Sequence, residues 1–190
     1  MEFNPEKARA LLAQAGFPGG KGFPRLELMT TSREVQKTMA EAIQGMWKRH
    51  LGVHVDIRSC EWTAYKFAQN SMQYDFSSSS WSGDYLDPSS FLDLWSSASG
   101  NNNTGWSRPE YERLLAESRA TGDQEKRMAL LARAEALMLS ESPVIPLYWA
   151  RRSYLKSPEV RGWHPLLLDN HLFEDISLGA PREQGKEAAP

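Results

Sequence analysis

The chain has 190 residues, with 22 lysines and arginines against 24 aspartates and glutamates. This near-balance, without a basic run or stripe, leaves no electrostatic footprint for nucleic acid. Nothing approaches the roughly 18 consecutive apolar residues of a membrane helix, and the lone cysteine, Cys60, excludes an internal disulfide or a cysteine-based metal site.

The length suits one domain with a real core. Met1 to Pro5 has neither a basic n-region nor an apolar h-region, so it does not read as a signal peptide. Asn4 and Pro5 read as N-cap and first residue of a short helix with Ala8, Leu11, Leu12 and Ala15 on one face, closed by Gly16. Phe17 to Pro24 is a loop. It falls short of a phosphate-binding loop, because Gly22 stands where Ser or Thr is required and no strand precedes it.

Arg25 to Thr30 alternates as a half-buried strand does, and Thr31 with Glu34 fits a capping box. The helix that follows carries Val35, Met39, Ile43, Met46, Trp47 and Leu51 on a core-facing stripe and ends at Gly52. Val53 to Arg58 is the next strand, so strand, helix and strand predict a parallel βαβ unit with a right-handed crossover. Glu61 to Phe67 opens another helix. Its Trp62 and Tyr65 lie one turn apart with Phe67 to one side, which leaves one aromatic beyond what a buried stripe needs; by spacing Trp62 reads as core or as that spare aromatic.

Tyr74 to Ser80 reads as a strand with four serines, either room and hydroxyls for an approaching ligand or low complexity at an edge. It runs into Trp81-Ser82-Gly83-Asp84-Tyr85-Leu86-Asp87-Pro88-Ser89-Ser90-Phe91-Leu92. Gly83 suits a turn with positive φ, Asp87 an N-cap and Pro88 the first helical position. Asp84, Trp81 and Tyr85 therefore sit on a strand-to-helix turn, where open α/β sheets place ligands. The bland reading is a surface turn in which Asp84 caps a local amide.

Phe91, Leu94 and Trp95 continue the helix into the amide-rich loop Ser96 to Gly105, a second candidate binding loop. Asn102-Asn103-Thr104 is formally a glycosylation sequon, a weak signal. Ser107 with Glu110 fits a capping box for a helix bearing Tyr111, Leu114 and Leu115. Asp123 caps a longer helix with Leu130, Leu131, Ala134, Leu137 and Met138 inward, while Glu125, Lys126, Arg127, Arg133 and Glu135 read as a solvated face. Pro143 ends the helices. Val144 to Trp149 is strand-like despite Pro146, Val160 to Trp163 is a further extended piece, and the stretch beyond Leu178 lacks any apolar pattern and is expected to be disordered.

The Trp81 to Leu92 run resembles the signature of the extracytoplasmic solute-binding proteins of peptide ABC transporters, the oligopeptide- and dipeptide-binding family. Asn4 to Ala8 with Leu11-Leu12 and Ala15 to Phe17, Asn101 to Trp106, and Pro143 to Tyr148 are similar to the same family in the same order. The resemblance covers residues 3 to 178 and implies the C-terminal part of a longer protein. It implies an α/β, periplasmic-binding-protein-like lobe, a mixed sheet flanked by helices, over residues 1–142. Residues 143–178 would return to a first lobe that lies outside this chain, with 179–190 as tail and the export signal in the preceding part. It also implies a short peptide as ligand, membrane permease subunits as partners and a periplasmic or extracytoplasmic location, the chain itself not spanning the membrane. Asp84 would pair with the peptide's α-ammonium, Trp62, Trp81 and Tyr85 would wall the pocket, and backbone near Ser78 to Ser80 and Gly83 would pair with the peptide as an added strand. Family members that bind oligosaccharides, metal chelates or glutathione, and a ligand-sensing role on the same fold, stay open as alternatives. On the same implication, Trp149, Tyr154, Trp163, Leu166, Leu167 and Leu168 are the exposed half of a core completed elsewhere; as a bare interaction domain, the chain would use that strip to bind a partner.

Nothing points to catalysis, a cofactor or a metal. His50, His54, His164 and His171 are scattered, and Gly52 breaks the helical spacing of the first two. No nucleophile elbow, kinase set or nucleotide fingerprint is present. Asp84 and Asp87 share one turn, whereas a glycosidase pair must face each other across a substrate.

Overall fold

The computed structural model describes residues 3–151, 153–166 and 168–179. Residues 180–190 of the predicted tail and Leu167 of the apolar strip lie outside them. The described chain divides into two compact units: one runs up to Trp81 and includes Leu94–Ser107, the other holds Ser82–Asp93 and the residues from Arg108 onward.

The first unit begins with α1 (Pro5–Gln14), where the Asn4 side chain accepts from the Lys7 amide at 2.9 Å and Pro5 takes the first turn. Its centre is a three-stranded sheet of β1 (Leu26–Thr31), β2 (Val55–Cys60) and β3 (Phe76–Ser77), in the order β2-β1-β3, with α2 (Glu34–Leu51) and α3 (Trp62–Asn70) as crossovers. Both pairings are parallel, with Leu26 opposite Val55 and Leu28 opposite Phe76. The predicted βαβ unit is therefore present and repeats once. The expected α/β class holds, but the main sheet is not mixed. Each of its strands is reached through a helix, which enforces parallel pairing, and the antiparallel pairing lies in a separate two-stranded sheet of the other unit.

Alternation along β1 sends Met29 to one face, where it packs with Tyr65 and Ala68 of α3, flanked by Cys60 and Tyr74. On α2 the sheltered face is narrower than the sequence stripe. Ala40 is buried and Met39, Ile43, Trp47 and Leu51 are half-buried, but Val35 and Met46 are exposed. Trp47 meets Phe76 edge-on at 5.1 Å. The capping box at Thr31 does not form: Thr31 is consumed by β1, and α2 starts after Arg33 with no side-chain cap. Gly52 does close α2 in the left-handed conformation (φ 69°). Its missing side chain is also needed for space, since a Cβ there would lie 2.2 Å from the Gly19 carbonyl oxygen.

The predicted strand Tyr74 to Ser80 shrinks to Phe76–Ser77. The Ser78 amide still donates to the Met29 carbonyl at 2.8 Å, but the Ser78 carbonyl accepts from the Tyr65 hydroxyl. A side chain thus takes the place of a ladder partner, and the serines that follow bring no bulk to bury.

In the second unit, α4 (Ser89–Leu92) is a single turn; the chain then makes a separate 3₁₀ turn at Asp93–Trp95, where the units divide, rather than one continuous helix. A helical hairpin, α5 (Pro109–Ala120) and α6 (Gln124–Glu141), supplies the core from Tyr111, Leu114, Leu115, Leu130, Leu131, Ala134 and Met138. Tyr111 is fully buried and donates to the Leu92 carbonyl at 2.7 Å, and burial pushes its hydroxyl well above the ordinary tyrosine value. Asp123 caps α6 through the Lys126 amide as expected. The Ser107 box fails, because Pro109 fixes the start of α5 and leaves Arg108 at the cap. Val144 to Trp149 forms no strand, in keeping with Pro146, which cannot donate to a ladder. β4 (Val160–Arg161) pairs antiparallel with β5 (Ser177–Leu178), and Trp163 meets Tyr154 edge-on at 4.4 Å and stacks on His171 at 4.9 Å.

Candidate ligand-binding site

The six predicted site residues divide between the units. Trp62, Ser80 and Trp81 belong to the first, Gly83, Asp84 and Tyr85 to the second.

In the first unit, α3 opens after Glu61, whose side chain accepts from the Thr63 amide at 2.7 Å. The helix turns Tyr65 into the core and leaves Trp62 outside, 57% exposed and stacked on Tyr65 at 5.9 Å. Trp62 is therefore not part of the core of this unit. The Lys66 ammonium lies 6.0 Å from the Trp62 ring. Trp81 is 40% exposed and Ser80 is exposed. Among the described residues, the backbone groups of Ser79 and Ser80 carry no hydrogen bond.

In the second unit, residues 83–87 fold back on the start of α4. The Asp84 amide donates to Ser90 Oγ at 2.7 Å. The Tyr85 hydroxyl lies 3.3 Å from Ser89 Oγ, and that hydroxyl donates to Asp87 Oδ1 at 2.6 Å. The Ser89 amide donates to the same oxygen at 2.9 Å, so the Asp87 side chain serves the start of the turn as expected, although the helix begins at Ser89 with Pro88, not Asp87, at the N-cap position. Gly83 has a different role from the one expected. It is not in the left-handed region; its value is space, because a Cβ there would stand 3.0 Å from the Phe91 ring.

The two carboxylates of this loop have opposite fates. Asp87 receives a bidentate fork from Arg127 of α6, at 2.6 and 2.7 Å, on top of its two bonds from Ser89. The guanidinium holds its carboxyl well below the usual carboxylate range, against the opposing effect of burial. Asp84 is exposed and, among the described residues, its carboxylate has no ion pair and no hydrogen bond. The bland reading, in which Asp84 caps a local amide, is thereby removed. Arg127, which the sequence pattern assigns to a solvated face of α6, is instead largely sheltered and turned to the loop. Its partner lies 40 residues away, so no local pattern announces it.

The second candidate loop is wired to itself. Asn102 Nδ2 donates to the carbonyls of Trp95, Ser96 and Trp106 at 3.1, 3.2 and 2.9 Å, and its Oδ1 accepts from the amide and hydroxyl of Thr104. The Tyr74 hydroxyl donates to the Asn103 carbonyl. Of the three asparagines, Asn102 thus acts as scaffold, its amide side chain spent on loop backbone. A recess of about 420 Å³ in the first unit, lined by Phe23, Arg25, Gln44, Lys48, His54 and Asp56 among others, contains none of the predicted residues, and its Arg25 and Asp56 pair with each other at 2.5 Å. Among the described residues no cluster of histidine, cysteine and acidic side chains could hold a metal, and no helix is long and apolar enough to cross a membrane.

The model of bacterial extracellular solute-binding proteins, family 5 Middle, matches residues 1–103. The chain belongs to this family. Family 5 comprises solute-binding transport proteins, and the resemblance read from the four motifs holds. This family-5 chain is 34% identical over 152 residues to the oligopeptide-binding protein OppA of Bacillus subtilis, covering 80% of this chain and 28% of that protein. It is 34% identical over 139 residues to the dipeptide-binding protein DppE of the same organism, covering 73% of this chain and 26% of that protein. The crystal structure of a periplasmic oligopeptide-binding protein, OppAIV from Borrelia burgdorferi, matches with a TM-score of 0.83 at 33% identity, over 93% of this chain and 36% of that one. The periplasmic-binding-protein-like fold is therefore established, and the chain spans less than a third of the length of the two curated relatives.

Proposed function

We propose that this chain forms part of the substrate-binding component of an ABC importer, binding short peptides outside the cytoplasm and delivering them to membrane permease subunits. In the second unit Asp84 receives the peptide's α-ammonium, with Tyr85 as wall area and Gly83 as close backbone; in the first, Trp62 and Trp81 offer wall area and Ser80 offers backbone. Residues 1–142 act as the ligand-binding lobe, and residues 143–178 return to a first lobe not contained in this chain. The names of the relatives, oligopeptide- and dipeptide-binding, support the ligand class. Of the apolar strip, Trp149, Tyr154 and Leu166 are exposed and support the returning segment, whereas Trp163 and Leu168 are half-buried.

One observation carries the site assignment: an unpaired, exposed carboxylate on a loop whose every other polar anchor is engaged. An ion pair left in water is worth about 0–1 kcal/mol. Covered by its ligand and hydrogen-bonded, the same pair rises to about 1.5–3 kcal/mol. The free loop is therefore poised, and recognition strengthens as water leaves. Unpaired backbone at Ser79 and Ser80 supports strand addition, which gives affinity indifferent to peptide sequence.

The test is Asp84→Asn in the full gene product that contains this chain. Free-amine peptides should lose about 10- to 100-fold in affinity, N-acetylated ones much less. Equal weakening of both would remove the ammonium role.

A further inference from the structure

The carboxylate that would meet the ligand is held by a turn too short to hold itself. α4 has four residues, and the loop before it owes its shape to Ser89, Ser90 and Asp87. Asp87 in turn is fixed by Arg127. That residue sits one turn ahead of Leu130 and Leu131, which are buried in the α5–α6 core, so the guanidinium is rooted in the firmest part of the unit.

We propose that Arg127 is a positioning residue for ligand recognition: its two-pronged grip on Asp87 sets the geometry in which Gly83 to Asp87 presents the Asp84 carboxylate. The proposal rests on the ammonium reading of Asp84 given above. The linkage is continuous. Arg127 Nη1 and Nη2 hold Asp87 Oδ2 and Oδ1, Asp87 Oδ1 accepts both the amide and the hydroxyl of Ser89, Ser89 Oγ accepts from the Tyr85 hydroxyl, and the next residue, Ser90, accepts from the Asp84 amide.

A surface ion pair of ordinary kind would not serve this role, because long exposed side chains hold no fixed geometry. Here the side chains are only 20% and 24% exposed, and both terminal guanidinium nitrogens are used. A planar fork on a carboxylate fixes direction as well as distance, which a lysine point charge cannot do. The side chain touches no ligand in this scheme; it acts through Asp87.

Simple electrostatics predicts the opposite sign. Removing a cation from the neighbourhood, and leaving Asp87 unpaired, would favour an ammonium ligand. Loss of amine recognition on removing Arg127 would therefore report geometry.

The experiment titrates one short peptide, with free and with acetylated N-terminus, into the full gene product as wild type, Asp84→Asn, Arg127→Gln and Arg127→Lys. The affinity ratio between the two peptides is the readout. The ammonium reading requires a wild-type ratio of about tenfold or more that Asp84→Asn abolishes; failure of either defeats that reading and this proposal with it. Given both, Arg127→Gln is expected to remove most of the ratio, weakening the free-amine peptide by about tenfold and the acetylated one by a smaller factor. Arg127→Lys is expected to fall between. A wild-type ratio in Arg127→Gln, or equal weakening of both peptides, overturns the proposal while leaving Asp84 in place. Should Arg127→Gln fail to fold, a wild-type ratio in Arg127→Lys overturns it equally.

Discussion

Two loops that the sequence offers for binding, residues 83–87 and 96–105, use their polar side chains in different ways. The second is held mainly by one side chain: Asn102 bonds three carbonyls and Thr104, while the Asn101 and Asn103 side chains carry no hydrogen bond among the described residues. The first spends all but one of its polar side chains. Asp87 accepts four hydrogen bonds, whereas Asp84, three residues earlier, accepts none among the described residues. A loop is made stable by satisfying its polar groups and made useful by leaving one unsatisfied in a fixed place.

That contrast can be broken experimentally. The largest effect should come from Asp84→Asn, which removes amine preference without removing a contact that holds the loop. Asn102→Ala should do the reverse. It strips a half-buried side chain of its several bonds and is expected to cost about 2–3 kcal/mol of stability, seen as a lower midpoint in denaturant, with the preference for free-amine peptides kept. If Asn102→Ala changed the preference and not the stability, the division between scaffold and ligand loop would be wrong.

The smallest effect concerns acid. Asp87 has a folded pKa below its ordinary value of 3.8, chiefly because of Arg127. Its contribution to stability is therefore complete above that ordinary value and is lost as pH falls through the lower, folded one. Thermal unfolding followed from neutral pH down to strongly acidic solution should show this loss in the wild type and a smaller one in Arg127→Gln. Parallel profiles would mean that the ion pair contributes nothing to the folded state.

Local chemistry made much of this legible in the sequence. Asn4 and Asp123 cap their helices, and Asp87 serves the start of α4, where side-chain oxygens meet the free amides of a first turn, and the strand–helix–strand spacing led to parallel pairing. Two capping boxes failed for want of context. Thr31 belongs to β1, and Pro109 sets the start of α5, so the box pattern met a stronger constraint each time. The motif around Asp84 was readable through family resemblance. What holds it in place was not, because Arg127 reaches Asp87 across 40 residues and Phe91 requires the space at Gly83. Both are facts of packing that periodicity does not encode. The serine run misled for a related reason: a strand needs partners, and the Tyr65 hydroxyl took the Ser78 carbonyl first.

The central claim, that the ligand is a short peptide bearing a free amine, is tested most directly by mass spectrometry of whatever is released on denaturing the full gene product purified from its own cells. The account predicts a ladder of short peptides of varied sequence with unmodified N-termini. A single sugar, a metal chelate or no ligand at all would contradict it and leave only the fold.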